Sequence, residues 1–120
     1  MQEIRGCGVV EIRYSEFMYY IEYPINYSVE FGYGTIIANE SLKNCEDLII
    51  EISKVIKDFF IEQKIYGIWY VNIDEYFDVL VYEYRMLHGY IYRNELSELL
   101  YDRLHDLLND LREKMIIEKI

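Results

Sequence analysis

Apolar and polar positions along this chain follow a two-residue period first and a helical period later. From Val9 to Tyr14 they alternate, with Val10, Ile12 and Tyr14 set against Glu11 and Arg13, which is the pattern of a half-buried strand. After the Ser15-Glu16 connection, Phe17, Tyr19, Ile21 and Tyr23 share one face of a second strand, which Pro24 ends or confines to a sheet edge. Tyr27, Val29 and Phe31 then alternate with Ser28 and Glu30. Gly32-Tyr33-Gly34 allows a turn, and a short return runs through Thr35 to Ala38, so a β-meander is expected in the first third.

The period changes at Leu42. Leu42, Cys45, Leu48, Ile49, Ile52, Val55, Ile56, Phe59 and Phe60 recur at steps of three and four, predicting a helix capped by Ser41 or Asn44. Ile65 to Ile73 is rich in β-branched and aromatic residues and reads as a strand. Phe77 to Tyr84 carries both signals, because Tyr76, Leu80, Tyr84 and Leu87 also fall at helical spacing, but its Val-Leu-Val-Tyr content favours a strand. Asn94 is placed to cap a last helix whose stripe runs through Leu96, Leu99, Leu100, Leu104, Leu107, Leu108, Leu111 and Met115. The predicted fold is α+β: an antiparallel sheet of about five strands with two amphipathic helices on one face, as a single domain over residues 1–120. Leu100, Leu104, Leu107 and Leu111 also keep a four-three-four spacing, which makes a homodimer through this helix an alternative use of the stripe.

Composition narrows the function more than it identifies it. A chain of 120 residues with 52% hydrophobic content has material for one core. Its net charge of −10 works against direct nucleic-acid binding. No apolar run is long enough to span a bilayer, and Met1-Gln2-Glu3-Ile4-Arg5 lacks the layout of a signal peptide, so no membrane association and a cytoplasmic location are expected. Cys7 and Cys45 are too few and too distant for a zinc knuckle; they are read as two thiols that one disulfide would join if they met. Abundant Ile, Tyr and Glu with a single proline, Pro24, resembles the small orphan proteins of hyperthermophilic archaeal viruses in composition and size. A viral origin would make the location the host cytoplasm.

No motif in the chain carries chemistry. His88 precedes a glycine in a turn and His105 lies among acids on the last helix, and neither has a nucleophile in a familiar arrangement. Gly6 and Gly8 around Cys7 lack the Gly-Lys-Ser/Thr run of a phosphate loop. Gly89, Ile91 and Glu95 match the last positions of a calcium loop starting at Tyr84, but Tyr84, Met86 and His88 occupy its first ligand positions. Gly89 to Leu96 also resembles the start of a winged-helix recognition helix, yet Glu95, Glu98, Asp102, Asp106 and Asp110 would repel phosphates. Asp74, Glu75 and Asp78 form the densest acidic cluster outside the helices and read as a solvated turn. No catalytic residue, metal or cofactor is therefore expected, and the chain reads as a non-enzyme.

One pattern remains. Residues 14–42 and 65–84 contain no Lys or Arg, hold four acids each, and carry 11 of the 14 tyrosines. Tyrosine gives contact area at low entropic cost, and carboxylates draw basic surfaces together. The expected function is a protein-interaction module whose acidic, aromatic sheet binds a basic protein partner through Tyr20, Glu22, Glu30, Trp69, Asp74 and Asp78. In size and charge the chain is similar to anti-CRISPR proteins, a likeness that implies an inhibitor acting as a nucleic-acid mimic.

Overall fold

A computed structural model describes residues 10–15, 27–31, 34–38 and 40–119. Among the described residues six strands form one antiparallel sheet: β1 (Val10–Ser15), β2 (Tyr27–Phe31), β3 (Gly34–Ala38), β4 (Ile68–Ile73), β5 (Val79–Arg85) and β6 (Gly89–Tyr92). Their spatial order is β2-β3-β1-β4-β5-β6, with helix α1 (Glu46–Glu62) between β3 and β4 in the chain and α2 (Asn94–Lys119) at its end. The α+β class, the antiparallel pairing and the two helices agree with the sequence pattern, although the sheet has six strands among the described residues rather than about five.

Two differences have physical causes. The first third is not a simple meander, because β1 pairs with β3 and β4 and so lies inside the sheet, two places from β2. Its alternation suggested one wet face, but Ile12 on one side and Arg13 on the other are both buried, as befits a central strand. The predicted strand from Phe17 to Tyr23 falls outside the described residues. β6 has no counterpart among the predicted strands: Gly89–Tyr92 lies between the strand predicted to Tyr84 and the helix capped by Asn94. Four residues are too few to display a period, and the strand is set by its turn: His88 N–H donates to Arg85 O at 3.0 Å, and Gly89 takes a φ of +69°. This is the three-residue hairpin in which a glycine in the left-handed region restores the pairing.

The core lies between the sheet and the helices. Alternate residues of the strands, including Ile12, Ile36, Val71, Ile73 and Val81, meet Ile49, Ile52, Ile56, Phe59 and Phe60 of α1 and Leu100, Leu104, Leu108 and Leu111 of α2. The leucine stripe of α2 is thus largely spent on this core, leaving Leu99 as its one large exposed member among the described residues. A 3-10 turn over Glu40–Cys45 precedes α1, so Ser41 and Asn44 lie within that turn, and Cys45 stands at the N-cap and makes no side-chain capping bond. Glu46 and Asp47 in the first turn of α1 complement the helix dipole instead. The far end of α1 closes as a Schellman turn, in which Ile65 N–H donates to Phe60 O (2.9 Å), Lys64 N–H donates to Ile61 O (3.1 Å), and Lys64 adopts a φ of 54°. No helix among the described residues is long and apolar enough to cross a membrane.

Candidate partner-binding cleft

A cleft forms where the sheet and α2 part. Asp74 N–H donates to Asp78 O at 3.0 Å, and Tyr82 lies level with Tyr70, so the even-numbered residues of β5 turn their backbone groups towards β4. The odd-numbered residues turn theirs outward, to β6. That strand ends at Tyr92, level with Tyr82, and the chain enters α2 two residues later. The last outward groups with a partner are those of Val81. Its carbonyl accepts from Arg93 N–H at 2.8 Å, and its N–H donates to the Ser97 hydroxyl at 2.9 Å. Ser97 Oγ in turn donates to Arg93 O at 2.8 Å, so one side chain splices the sheet edge to the first turn of the helix.

Beyond this splice the edge of β5 opens into a cleft of about 500 Å³. Asp78, Val79 and Leu80 form one wall, Glu98, Tyr101 and Asp102 the other, with Tyr92 at the rim. Three carboxylates and two phenol rings therefore face the space, and no Lys or Arg among the described residues lines it. Asp78, Glu98 and Asp102 are all exposed.

The negative wall continues along the helix. Glu98, Asp102, Asp106 and Asp110 stand at successive four-residue steps on α2, all exposed, a line about 18 Å long at 1.5 Å per residue. The nearby described cations are engaged elsewhere. Arg103 bonds Glu62 of α1 and lies 5.2 Å from the Phe59 ring. That guanidinium hydrogen-bonds the Glu62 carboxylate and holds its pKa below the usual range, and the arginine is raised in return. Arg112 reaches Tyr76 O at 3.4 Å and lies over the Phe77 ring at 4.9 Å. Arg93 pairs with Glu83 at 3.1 Å and lies over Trp69 at 5.8 Å.

The sheet face turned away from the helices has a different character. Tyr82 contacts both Tyr70 and Tyr92, while Tyr90 contacts Tyr70 and Tyr84, with ring centroids 5.1 to 6.4 Å apart. Arg13 lies 5.9 Å from the Tyr70 ring. Arg13, Tyr70 and Asn72 are only 7%, 1% and 3% exposed, so this part of the face is packed rather than a wet mixture of rings and acids. Burial raises the Tyr82 phenol above its ordinary pKa, with a smaller contribution from Tyr92.

The residues singled out from sequence separate accordingly. Asp78 lines the cleft. Asp74 is a turn residue whose Oδ1 accepts from Tyr76 N–H and Asp78 N–H, both at 2.9 Å, so its charge organises the β4–β5 connection. Trp69 packs into the core: it is 5% exposed, lies edge-on to Phe60, and donates from its indole to Tyr66 O at 3.0 Å. Its neighbours in the strand gave no sign of which face would receive the helices. Glu30 falls in the outermost described strand, β2, level with Thr35. Tyr20, Glu22 and Cys7 lie outside the described residues, and Cys45 is buried in the core. Glu98, Asp102, Tyr92 and Tyr101 were not singled out, although the four-residue spacing of acids on α2 was the available signal. No protein-family model matches the chain, nor does any curated protein or solved structure.

Proposed function

We propose that this protein is a non-enzymatic interaction module that binds a basic protein partner, with the cleft between β5 and α2 as its recognition surface. One observation carries the reading: three carboxylates and two tyrosines converge on an open cleft with no lining cation among the described residues, and the acidic line on α2 extends that surface outward. Carboxylates four residues apart repel one another on a helix, at a cost of about 0.2–0.5 kcal/mol per pair. A basic partner offsets that repulsion on binding, and the phenol rings add flat contact area and faces on which cations stack. An inhibitor that occupies a nucleic-acid-binding surface is the biological role best suited to such a face.

The test is capture of partners from the native host on the immobilised chain at low salt, followed by elution with a salt gradient. A basic protein released early in the gradient, and not retained by the Glu98→Lys/Asp102→Lys double variant, is the expected result. Equal retention by the double variant would refute the reading. Recovery of further copies of the chain, resistant to salt, would instead point to an assembly protein that pairs with itself.

A further inference from the structure

On the reading that the cleft receives a basic partner, we propose that the partner enters it as an extended segment and adds to the outer edge of β5 as a short strand beyond the end of β6. The alternation of backbone bonds fixes where such a segment would dock. The outward groups of Val81 are taken by Arg93 and Ser97, and Val79 is the next residue whose N–H and C=O point away from β4. Val79 lines the cleft, and among the described residues no strand lies opposite it on that side. A strand edge left open in this way is a template for another chain.

The walls say which chain. Successive side chains of an extended segment point to opposite faces, so residues two apart, about 7 Å along the strand, present to the same wall. Glu98 and Asp102 on the α2 side, with Asp78 at the mouth, fit Lys or Arg at such alternate positions, and Tyr92 and Tyr101 offer rings to their aliphatic stems. A helix, about 10 Å across with its side chains, would leave the β5 backbone groups unused.

The experiment compares two short capped peptides of alternating Thr and Lys, identical in charge, one of them N-methylated at every residue on one backbone edge. Binding to the isotope-labelled full chain at low salt is followed by amide shifts and hydrogen exchange. The unmethylated peptide should bind about tenfold more tightly, slow exchange at Val79, and shift the amides of Asp78 to Leu80. Equal affinity for both peptides, through shifts at Glu98 and Asp102, would overturn strand addition while leaving the basic-partner reading in place. Failure of both peptides to bind would overturn both. The Glu98→Lys/Asp102→Lys variant alters exposed side chains only and should lose the peptide without losing its folded spectrum.

Discussion

Ser97 and Ser53 offer a sharp trial of how the sheet is joined to α2. Both serines are buried in helices, at 3% and 1% exposure, and both donate to the carbonyl one turn back: Ser97 to Arg93 O at 2.8 Å and Ser53 to Ile49 O at 2.7 Å. By that bond alone, alanine should be tolerated at either site, because the accepting carbonyl keeps a backbone partner. The difference is the second bond of Ser97, which accepts the Val81 N–H at 2.9 Å in the buried sheet edge. Ser97→Ala leaves that donor orphaned. An unmade buried hydrogen bond costs about 1–3 kcal/mol, and the better helix propensity of alanine returns no more than about 0.5 kcal/mol. The net expectation is a loss of about 1–2 kcal/mol for Ser97→Ala and a change near zero for Ser53→Ala. In urea the first should lower the unfolding midpoint by about 1 M at unchanged slope, given a slope of about 1–2 kcal/mol/M for a domain of this size. If both variants unfold at the wild-type midpoint, or if both fall equally, the splice through the Ser97 hydroxyl is not what holds the edge.

Three further outcomes follow from local geometry. Lys64 holds a left-handed conformation in the C-terminal turn of α1, where glycine carries no side-chain penalty, so Lys64→Gly should raise stability by about 0.5–1 kcal/mol in the same urea assay. Glu62, its carboxyl pKa lowered by Arg103, lends stability that is present above the ordinary value of 4.5 and lost as the pH falls through the lowered one; wild type and Glu62→Gln should therefore differ at neutral pH and converge in acid. Tyr82, with its phenol raised by burial and by Tyr92, contributes stability that is full below pH 10.0 and lost as the pH rises through the raised value. Tyr82→Phe should flatten the alkaline fall in stability and remove a late-titrating phenolate from the ultraviolet absorbance curve.

The sequence showed elements better than it showed neighbours. α1 and α2 were legible because Ile49, Ile52, Ile56 and Phe59, and Leu100, Leu104, Leu108 and Leu111, repeat one face over several turns. β5 was legible once Val79, Leu80 and Val81 were weighed against a competing helical spacing. The placement of β1 between β3 and β4 was not, because pairing order depends on connections whose lengths do not encode it. The burial of Trp69 was not legible for a related reason. In a strand as apolar as Ile68–Ile73, which reads buried along nearly its whole length, the residues on the two faces look alike, and only the helices distinguish them. The cleft was illegible as a unit because it joins Asp78 to Glu98 and Asp102 through the β5–β6 hairpin, and the hairpin rests on a four-residue strand.

The acidic line on α2 separates a working surface from a merely solvated one, because the two make opposite forecasts for Asp102→Lys. Asp102 stands four residues from both Glu98 and Asp106, so the present helix contains two repulsive pairs that the substitution turns into attractive ones. At about 0.2–0.5 kcal/mol for each of two repulsions removed and two attractions gained, with a few tenths more from helix propensity, stability should rise by about 1–2 kcal/mol, or about 4–8 °C in Tm. A solvated face would gain that stability at no functional loss. A recognition face gains it while losing the partner, as expected where binding depends on charges that the folded chain holds at its own cost. Calorimetry and partner retention measured on the same preparation decide between them. A variant that melts higher and elutes at lower salt supports the cleft, whereas one that melts higher and elutes unchanged would show that these carboxylates serve solubility alone.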